Sequence, residues 1–410
     1  MKGNIVLFED HYVEDMRPVT LTRPAFGVTC AAYRLFDIAH MVADRVTYIV
    51  RHYLDDVAAQ FFTRDAPDDG PTLFLNAAVA PDVRYVPRLR ELMEAGEPFA
   101  CASGQRVAAA LVPPDESPPE GMAPADVTPY LLDMNLPVRD EEPFRTLDYC
   151  FDIVDVLEEL FPANIRSKID ENGYEEVRPG VFVGDGVKIA ETAVFHADEG
   201  PIVLADNVRV LDFTFFEGPV YVGPNSRIIE RSSVKECVSV GHTCKIGGEV
   251  EASVIEPYTN KQHHGFLGHA YVGSWVNMGA GTSNSDLKNT YGSVRVNIGE
   301  RRVETGMQFL GCIIGDYSKT AINTSIFTGK IIGVCSMLYG YVGQNVPSFC
   351  NYAKSFGQIT ECTLEQAIIT QKRMFVRRDV EQTEADIALL GEVFERTKDE
   401  RSIASEPPVL

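Results

Sequence analysis

PIVLADNVRVLDFTFFEGPVYVGPNSRIIERSSVKECVSVGHTCKIGGEV, residues 201–250, places a small or β-branched residue at every sixth position: Ile202, Val208, Thr214, Val220, Ser226, Ser232, Val238, Cys244 and Val250. The series starts upstream at Val181, Val187 and Ala193. It resumes downstream at Ala270, Val276 and Thr282, and again at Ile314, Thr320, Ile326, Ile332 and Leu338. A six-residue period cannot belong to an α-helix, whose period is 3.6, and it is too regular for unrelated hairpins. Each hexad therefore supplies one short strand and one tight corner, with the small residue turned inward. Stacking such coils pairs their backbones as parallel strands and buries one continuous core. The glycines and asparagines of VYVGPN, VSVGHT and VNMGAG are expected at corners, where positive φ is cheap for them.

Two segments break the spacing, 257–268 and 283–307. Insertions in a repeat stack become loops on one face, where function is common. Ahead of the repeats the pattern is mixed α/β. Apolar runs at 5–8 (IVLF), 46–50 (VTYIV) and 72–75 (TLFL) read as strands. Between the first two, Leu35, Ile38, Ala39 and Val42 share one helical face, and strand–helix–strand order implies a parallel sheet. Residues 113–124 (PPDESPPEGMAP) read as a mobile acidic loop, 147–160 as a helix joining the halves, and 168–178 as a polar hinge. The tail over 363–398 has helical periodicity, and the final SEPPVL reads as disordered. The expected domains are thus 1–165 (α/β with its linker helix), 178–357 (repeat coil) and 358–410 (helical tail).

At 410 residues the chain has room for two cores, and 45% hydrophobic with 23% charged residues is ordinary for a globular protein. A formal charge of −22 argues against nucleic acid as a partner. A few local cations would still suffice for one small phosphate. The nine cysteines are scattered without a C-x-x-C pair, which disfavours a zinc site or disulfide framework and favours a reducing, cytoplasmic setting. MKGNIVLFEDHY does not read as a signal peptide, and no run of 18 apolar residues would span a membrane.

Three of the eight histidines, His263, His264 and His269, fall within NKQHHGFLGHAYVG. Metal ligation is one reading, although the flanks offer no cysteine or carboxylate, and no metal site is expected. Solvated loop residues without a role are a second. The third is a general base: a neutral imidazole can take a proton from an attacking amine or hydroxyl near neutral pH. Acyl transfer from a thioester needs such a base together with an N–H donor for the oxyanion.

The stretch HHGFLGHAYVGSWVNMGAGTSNSD resembles the acetyltransferase half of the bifunctional enzymes that make UDP-N-acetylglucosamine. These are the UDP-N-acetylglucosamine diphosphorylase / glucosamine-1-phosphate N-acetyltransferases. They join an N-terminal uridylyltransferase to a C-terminal left-handed parallel β-helix of hexapeptide repeats, with coils of about 18 residues. Their signature is a His, two residues, an aromatic residue, a Leu-Gly-Asp-Ala-like run, and V-N-x-G-A-G-T. The resemblance places His263 on the catalytic His, Phe266 on the aromatic position and Asn277 on an acceptor-binding Asn. Ala280 and Gly281 fall on the segment beside coenzyme A. Lys235 falls where the family sets an Arg against the sugar phosphate, and Lys261 joins the acceptor site. Three departures follow: Phe266 replaces a Tyr, His269 replaces an Asp, and Asp286 stands about where an Asn helps bind the amino sugar, flanked by Asn284 and Asn289.

The N-terminal half lacks the family's Gly-rich triphosphate loop. Instead IVLFED leads to DMRPVTLTRPAFGV, which resembles the divergent nucleotidyltransferase-like domain of a variant subfamily. Arg17 and Arg23 are its phosphate candidates, since guanidinium pairs phosphate oxygens bidentately; ordinary packing or surface residues are the alternative. FLNAAVAPD resembles the segment where the standard enzymes carry a metal-binding Asp, with Asn76 and Asp82 as its polar candidates.

Taken together, the resemblance implies two activities. The β-helix would transfer acetyl from acetyl-CoA to an amino sugar-1-phosphate, and the first domain would use a nucleoside triphosphate and Mg²⁺ to nucleotidylate the sugar phosphate. It also implies a homotrimer. Two other outcomes stay open: a nucleotidyltransferase whose β-helix is only an oligomerisation scaffold, and a non-catalytic regulatory or structural homologue.

Overall fold

The computed structural model describes residues 3–66, 70–113, 121–139 and 144–404. Most of the acidic proline loop (114–120) and the last six residues lie outside that range. The chain divides into two compact units, Met1–Cys150 and Phe151–Leu410.

The first unit is a five-stranded sheet. Strand β1 (Asn4–Phe8), buried along its whole length, pairs in parallel with β2 (Arg45–Ile49) and β3 (Thr72–Asn76). Helix α1 (Leu35–Val42) crosses between β1 and β2 and buries Leu35, Ile38, Ala39 and Val42, the face set by their spacing. The other side of the sheet is an antiparallel hairpin of β4 (Phe99–Ser103) and β5 (Arg106–Val112), giving the order β2-β1-β3-β5-β4. Sequence spacing did not announce this hairpin. Its buried residues include Ala108, Ala109 and Ala110, and alanine carries no strand preference.

The second unit opens with a one-turn helix, Asp152–Asp155, followed by the helix Leu157–Asn172 and the strand Glu175–Arg178, where a joining helix at 147–160 and a hinge at 168–178 were expected. The polar run SKIDEN is the solvated end of that helix, so polarity alone misread it as a hinge. The rest is a left-handed β-helix of about 10 turns. Ile202 pairs with Val220 and Val220 with Val238, three hexads to a coil, and the inward hexad residues form one continuous core. Ser226 and Ser232, also fully interior, donate their hydroxyls to the carbonyls of Gly241 and Ile229, which makes a polar residue tolerable there.

Two expectations about the coil change. Asn207, Asn225, Asn323 and Gly281 take positive φ at corners as expected, but so do the bulky Phe213, Tyr258 and Trp275. Gly223, in VYVGPN, serves close stacking instead: a Cβ there would lie 2.7 Å from the carbonyl carbon of Gly241 on the next coil. Residues 257–268 are also not a loop. Asn260–Lys261 pairs with Lys245–Ile246, and Phe266–Gly268 with Glu249–Glu251. The hexad count merely slips, because the steps from Lys245 to Asn260 and from Asn260 to Asn277 both fall short of three full hexads. The second break is a true excursion. Asn277 and Lys319 are neighbours on successive coils although the chain between them is more than twice a normal coil, and a hairpin of Arg295–Ile298 and Arg301–Glu304 lies along it.

At the end of the stack Cys350–Ala353 adds a last parallel rung on Met337–Leu338 and pairs antiparallel with Gln358–Glu361, followed by helices Leu364–Val376 and Glu384–Arg396. Both helices dock on the β-helix through aromatic rings. Phe375 lies 4.5 Å from Trp275, itself stacked on Tyr258 at 4.2 Å, and Phe394 lies 5.1 Å from Phe349.

Candidate functional site

Coil stacking, not sequence adjacency, assembles the surface around 258–286. His263 and His264 are exposed at the corner between the Asn260–Lys261 strand and the Phe266–Gly268 strand. The next coil brings Ala280 and Gly281 to the same corner, where the Gly281 N–H donates to the His264 carbonyl at 3.0 Å. Asn277 is exposed on the neighbouring face. Its Oδ1 is 3.5 Å from Nδ2 of Asn260, whose Oδ1 accepts a 2.7 Å bond from Arg378 of the tail. Burial, and then the charge of Arg377, hold the Arg378 pKa below the usual arginine value against the opposing effect of Cys244 and Tyr258.

Lys261 is placed differently from the acceptor contact expected of it. Its register partner is Ile246, so its side chain enters the prism and is only 2% exposed. The ammonium donates to the carbonyls of Gly247 (2.7 Å), His263 (3.0 Å) and Gly265 (2.7 Å), and burial pulls its pKa down to about 8. Lys261 therefore braces the corner that displays His263, and its ammonium is spent on backbone.

Lys235 stands on the same face as Phe266, with Glu217 and Glu251 as its register neighbours. It donates a 2.6 Å charged hydrogen bond to Glu249, and this bond with the surrounding glutamates raises its pKa against the opposing effect of burial. The cation expected to meet a sugar phosphate is thus already matched by carboxylates.

At the far edge of this face the chain turns at His269, which adopts φ +46, a left-handed conformation that histidine tolerates better than most residues. Its Nδ1 lies 2.9 Å from Oδ2 of Asp286, and its ring stacks on Phe309 at 5.1 Å and 24°. A Cβ on Gly268 would lie 2.3 Å from Cζ of Phe266 and 2.7 Å from Oδ2 of Asp286, so the Phe266 ring reaches across a bare backbone toward the His269–Asp286 pair. The sequence separation of His269 and Asp286 equals the length of the local coil, from Asn260 to Asn277, and that spacing is the signal that could have paired them in advance.

In the first unit, Asn76 is fully buried. Its amide donates to Asp10 at 2.8 Å and to the Val107 carbonyl at 3.0 Å, while its Oδ1 accepts from the Ala78 N–H. Arg106, unnoticed in the sequence, grips Asp10 bidentately at 2.6 and 2.8 Å. Burial alone would raise the Asp10 pKa, but the bonds from Arg106 and Asn76 and the Arg106 charge outweigh it and hold the pKa below the carboxylate norm. Glu9 is likewise held by Arg51, at 2.9 and 3.0 Å. Glu9 also accepts from the Ala25 N–H, and Arg51 donates to the Thr20 carbonyl, which ties the 17–25 loop to the end of β1. On that loop Arg17 pairs with Glu14, and Arg23 is half-buried. The structure thus assigns Asn76 to an internal network rather than to an open surface.

The carboxylates do not fit a preformed Mg²⁺ cage. Glu9, Asp10 and Asp82 each face an arginine, and among the described residues no three metal-ligating side chains converge. No helix of the described residues is long and apolar enough to cross a membrane.

Residues 5–165 match the sugar nucleotidyl transferase family. The chain is 33% identical over 159 residues to a bifunctional sugar-1-phosphate nucleotidylyltransferase/acetyltransferase of Sulfurisphaera tokodaii, covering 38% of this chain and 37% of that protein. It is 36% identical over 85 residues to the bifunctional protein GlmU of Methanocaldococcus jannaschii, 21% of each. The chain thus spans well under half the length of these curated relatives. Among solved structures, a Francisella novicida UDP-N-acetylglucosamine acyltransferase is 16% identical with a TM-score of 0.27, covering 56% of this chain and 84% of its own. That overlap is too low to bear weight.

The chain thus has two parts, a segment similar to sugar nucleotidyl transferases and a left-handed β-helix that follows it. The similarity to bifunctional nucleotidylyltransferase/acetyltransferase proteins covers part of the chain, and Phe266, His269 and Asp286 depart from the motif described above.

Proposed function

We propose that this chain is a two-part sugar-phosphate transferase. Its β-helix moves acetyl from acetyl-CoA to an amino sugar-1-phosphate, and its first unit joins a nucleoside triphosphate to the sugar-1-phosphate. The observation that carries the reading is the order of parts: a sugar nucleotidyl transferase match over 5–165, then a β-helix whose stacked coils over 258–286 carry the HHGFLGH and VNMGAGT motifs and bring them together at the His264–Gly281 corner. His263 is the imidazole that the resemblance assigns to proton transfer. Phe266, Asn277 and Asp286 would border the acceptor, and the Ala280–Gly281 corner would lie along coenzyme A. On the first unit Arg17 and Arg23 would meet phosphate, with Asn76 acting indirectly by holding Asp10. Mg²⁺ would arrive with the triphosphate. The protein would work as a cytoplasmic homotrimer.

The Lys235–Glu249 pairing favours one alternative, in which the β-helix is a scaffold and only nucleotidyl transfer remains. Two assays on the full chain separate these readings: CoA release from acetyl-CoA with glucosamine-1-phosphate, and pyrophosphate release from nucleoside triphosphates with sugar-1-phosphates and Mg²⁺. Both releases support the proposal. Pyrophosphate alone, with no thermal stabilisation by acetyl-CoA, supports the scaffold. Neither release refutes both.

A further inference from the structure

The resemblance assigns the base to His263, but His263 is exposed and its ring makes no hydrogen bond among the described residues. A base works best when a third group fixes its tautomer and orientation. One imidazole on this surface has that support. We propose that His269, oriented by Asp286, is the proton acceptor for acyl transfer on this coil, an inference that rests on the acetyl-transfer reading above.

Four observations converge. First, the Nδ1–Oδ2 separation is 2.9 Å and the two side chains are 18% and 16% exposed, sheltered enough to be held yet open to a ligand. Second, the backbone fixes both partners: the His269 N–H donates to Glu251 and its carbonyl accepts from Gly311, while the Asp286 carbonyl accepts from Leu310. Third, Phe309 stacks on the imidazole and limits its rotation. Fourth, Gly268 leaves a bare strand between the Phe266 ring and Asp286, and the amide of Asn284 clamps that strand at 2.9 and 3.0 Å. An aromatic platform beside an oriented imidazole is a setting in which an apolar sugar face can lie while its amine meets the base.

With Nδ1 turned to the carboxylate, Nε2 is the proton-accepting atom. The acceptor amine attacks the thioester carbonyl carbon, the C–N bond forms, and the amine proton passes to Nε2. The C–S bond then breaks, and His269 returns the proton to the departing sulfur. The products are the N-acetyl sugar and free CoA thiol, with no other reactant. Asp286 is a positioning residue. Glu251 pairs in register with Gly268, next to His269, and Lys235 with Glu249 lies further along the same face.

The test uses the full chain and CoA-thiol release with glucosamine-1-phosphate, comparing His269→Ala, Asp286→Asn and His263→Ala, with His196→Ala as an unrelated histidine deletion. The expected result is a loss in kcat of about 100-fold or more for His269→Ala with acceptor KM within about threefold, and wild-type rates for His196→Ala. Asp286→Asn should lower kcat less, with acceptor KM again within about threefold, and Asp286→Glu should recover part of that kcat because it restores a carboxylate to orient the ring. A fold defect would lower Tm and would not be rescued by Asp286→Glu. Wild-type turnover by His269→Ala, or abolition by His263→Ala alone, overturns the assignment. No CoA release by the wild-type chain overturns the acetyl-transfer reading itself, and the dyad's role with it.

Discussion

Replacing Lys261 by Met should change how the second unit's stability responds to pH. The interior column around Lys261 reads Ile228, Ile246, Lys261, Met278, so methionine fits the lining chemically and in length. The folded lysine has its pKa pulled down to about 8 by burial; an unfolded lysine titrates near ~10.4, and the gap amounts to about 3 kcal/mol. Below pH ~8 both states hold the proton, and the folded state bears the cost of the buried ammonium. Between ~8 and ~10.4 the unfolded chain binds more protons than the folded one, so stability from this site rises with pH. Buried thiols such as Cys244, pushed up to about 12, act in the opposite sense, but they are common to both proteins and cancel in the difference. The chain's one tryptophan, Trp275, lies between Tyr258 and Phe375, so its fluorescence during urea unfolding follows this unit. Wild type should gain about 3 kcal/mol on Lys261→Met between pH 7 and 10.5. A difference constant to within about 0.5 kcal/mol would refute the buried, proton-shedding lysine.

Arg106→Met leaves the Asp10 carboxylate buried without its cation and should destabilise the first unit by about 3–5 kcal/mol, seen as an early transition in hydrogen exchange of β1 and β3; adding Asp10→Asn should recover part of the loss. Gly223→Ala pushes a methyl against the Gly241 backbone and should cost the β-helix about 1–3 kcal/mol or more, read as a lower Tm in the Trp275 transition. Thr383→Ala removes the hydroxyl that accepts from the Asp386 N–H, and one side of a capping box; it should cost about 1 kcal/mol in the same transition, with CoA release unchanged.

The coil was legible because its chemistry repeats: inward small residues at 202, 208, 214 and onward encode both strand and corner. The slip at 257–268 looked like a loop because the hexad count assumes equal coils, whereas the stack absorbs two successive short coils without losing pairing. Arg106 and Asp10 lie 96 residues apart in the sequence, and no local pattern links them. Lys261 looked like a surface cation because nothing in NKQHH reveals that its register partner is an inward Ile246. His269 and Asp286 were each noticed as departures from a motif, but their partnership needed the coil length as a ruler.

The excursion between Asn277 and Lys319 leaves and rejoins the stack where the Leu310 N–H meets the Asp286 carbonyl. Above that neck the appendage is moored to later rungs, since Asn345 donates to the Asn297 carbonyl at 2.8 Å and Val294 and Val296 are buried. Related chains could therefore exchange its exposed tip more readily than its base, and changes at the base would alter Phe309 and Asp286 and so the chemistry at the rim. Diversity among such proteins should then concentrate in this appendage while the coils on either side remain alike.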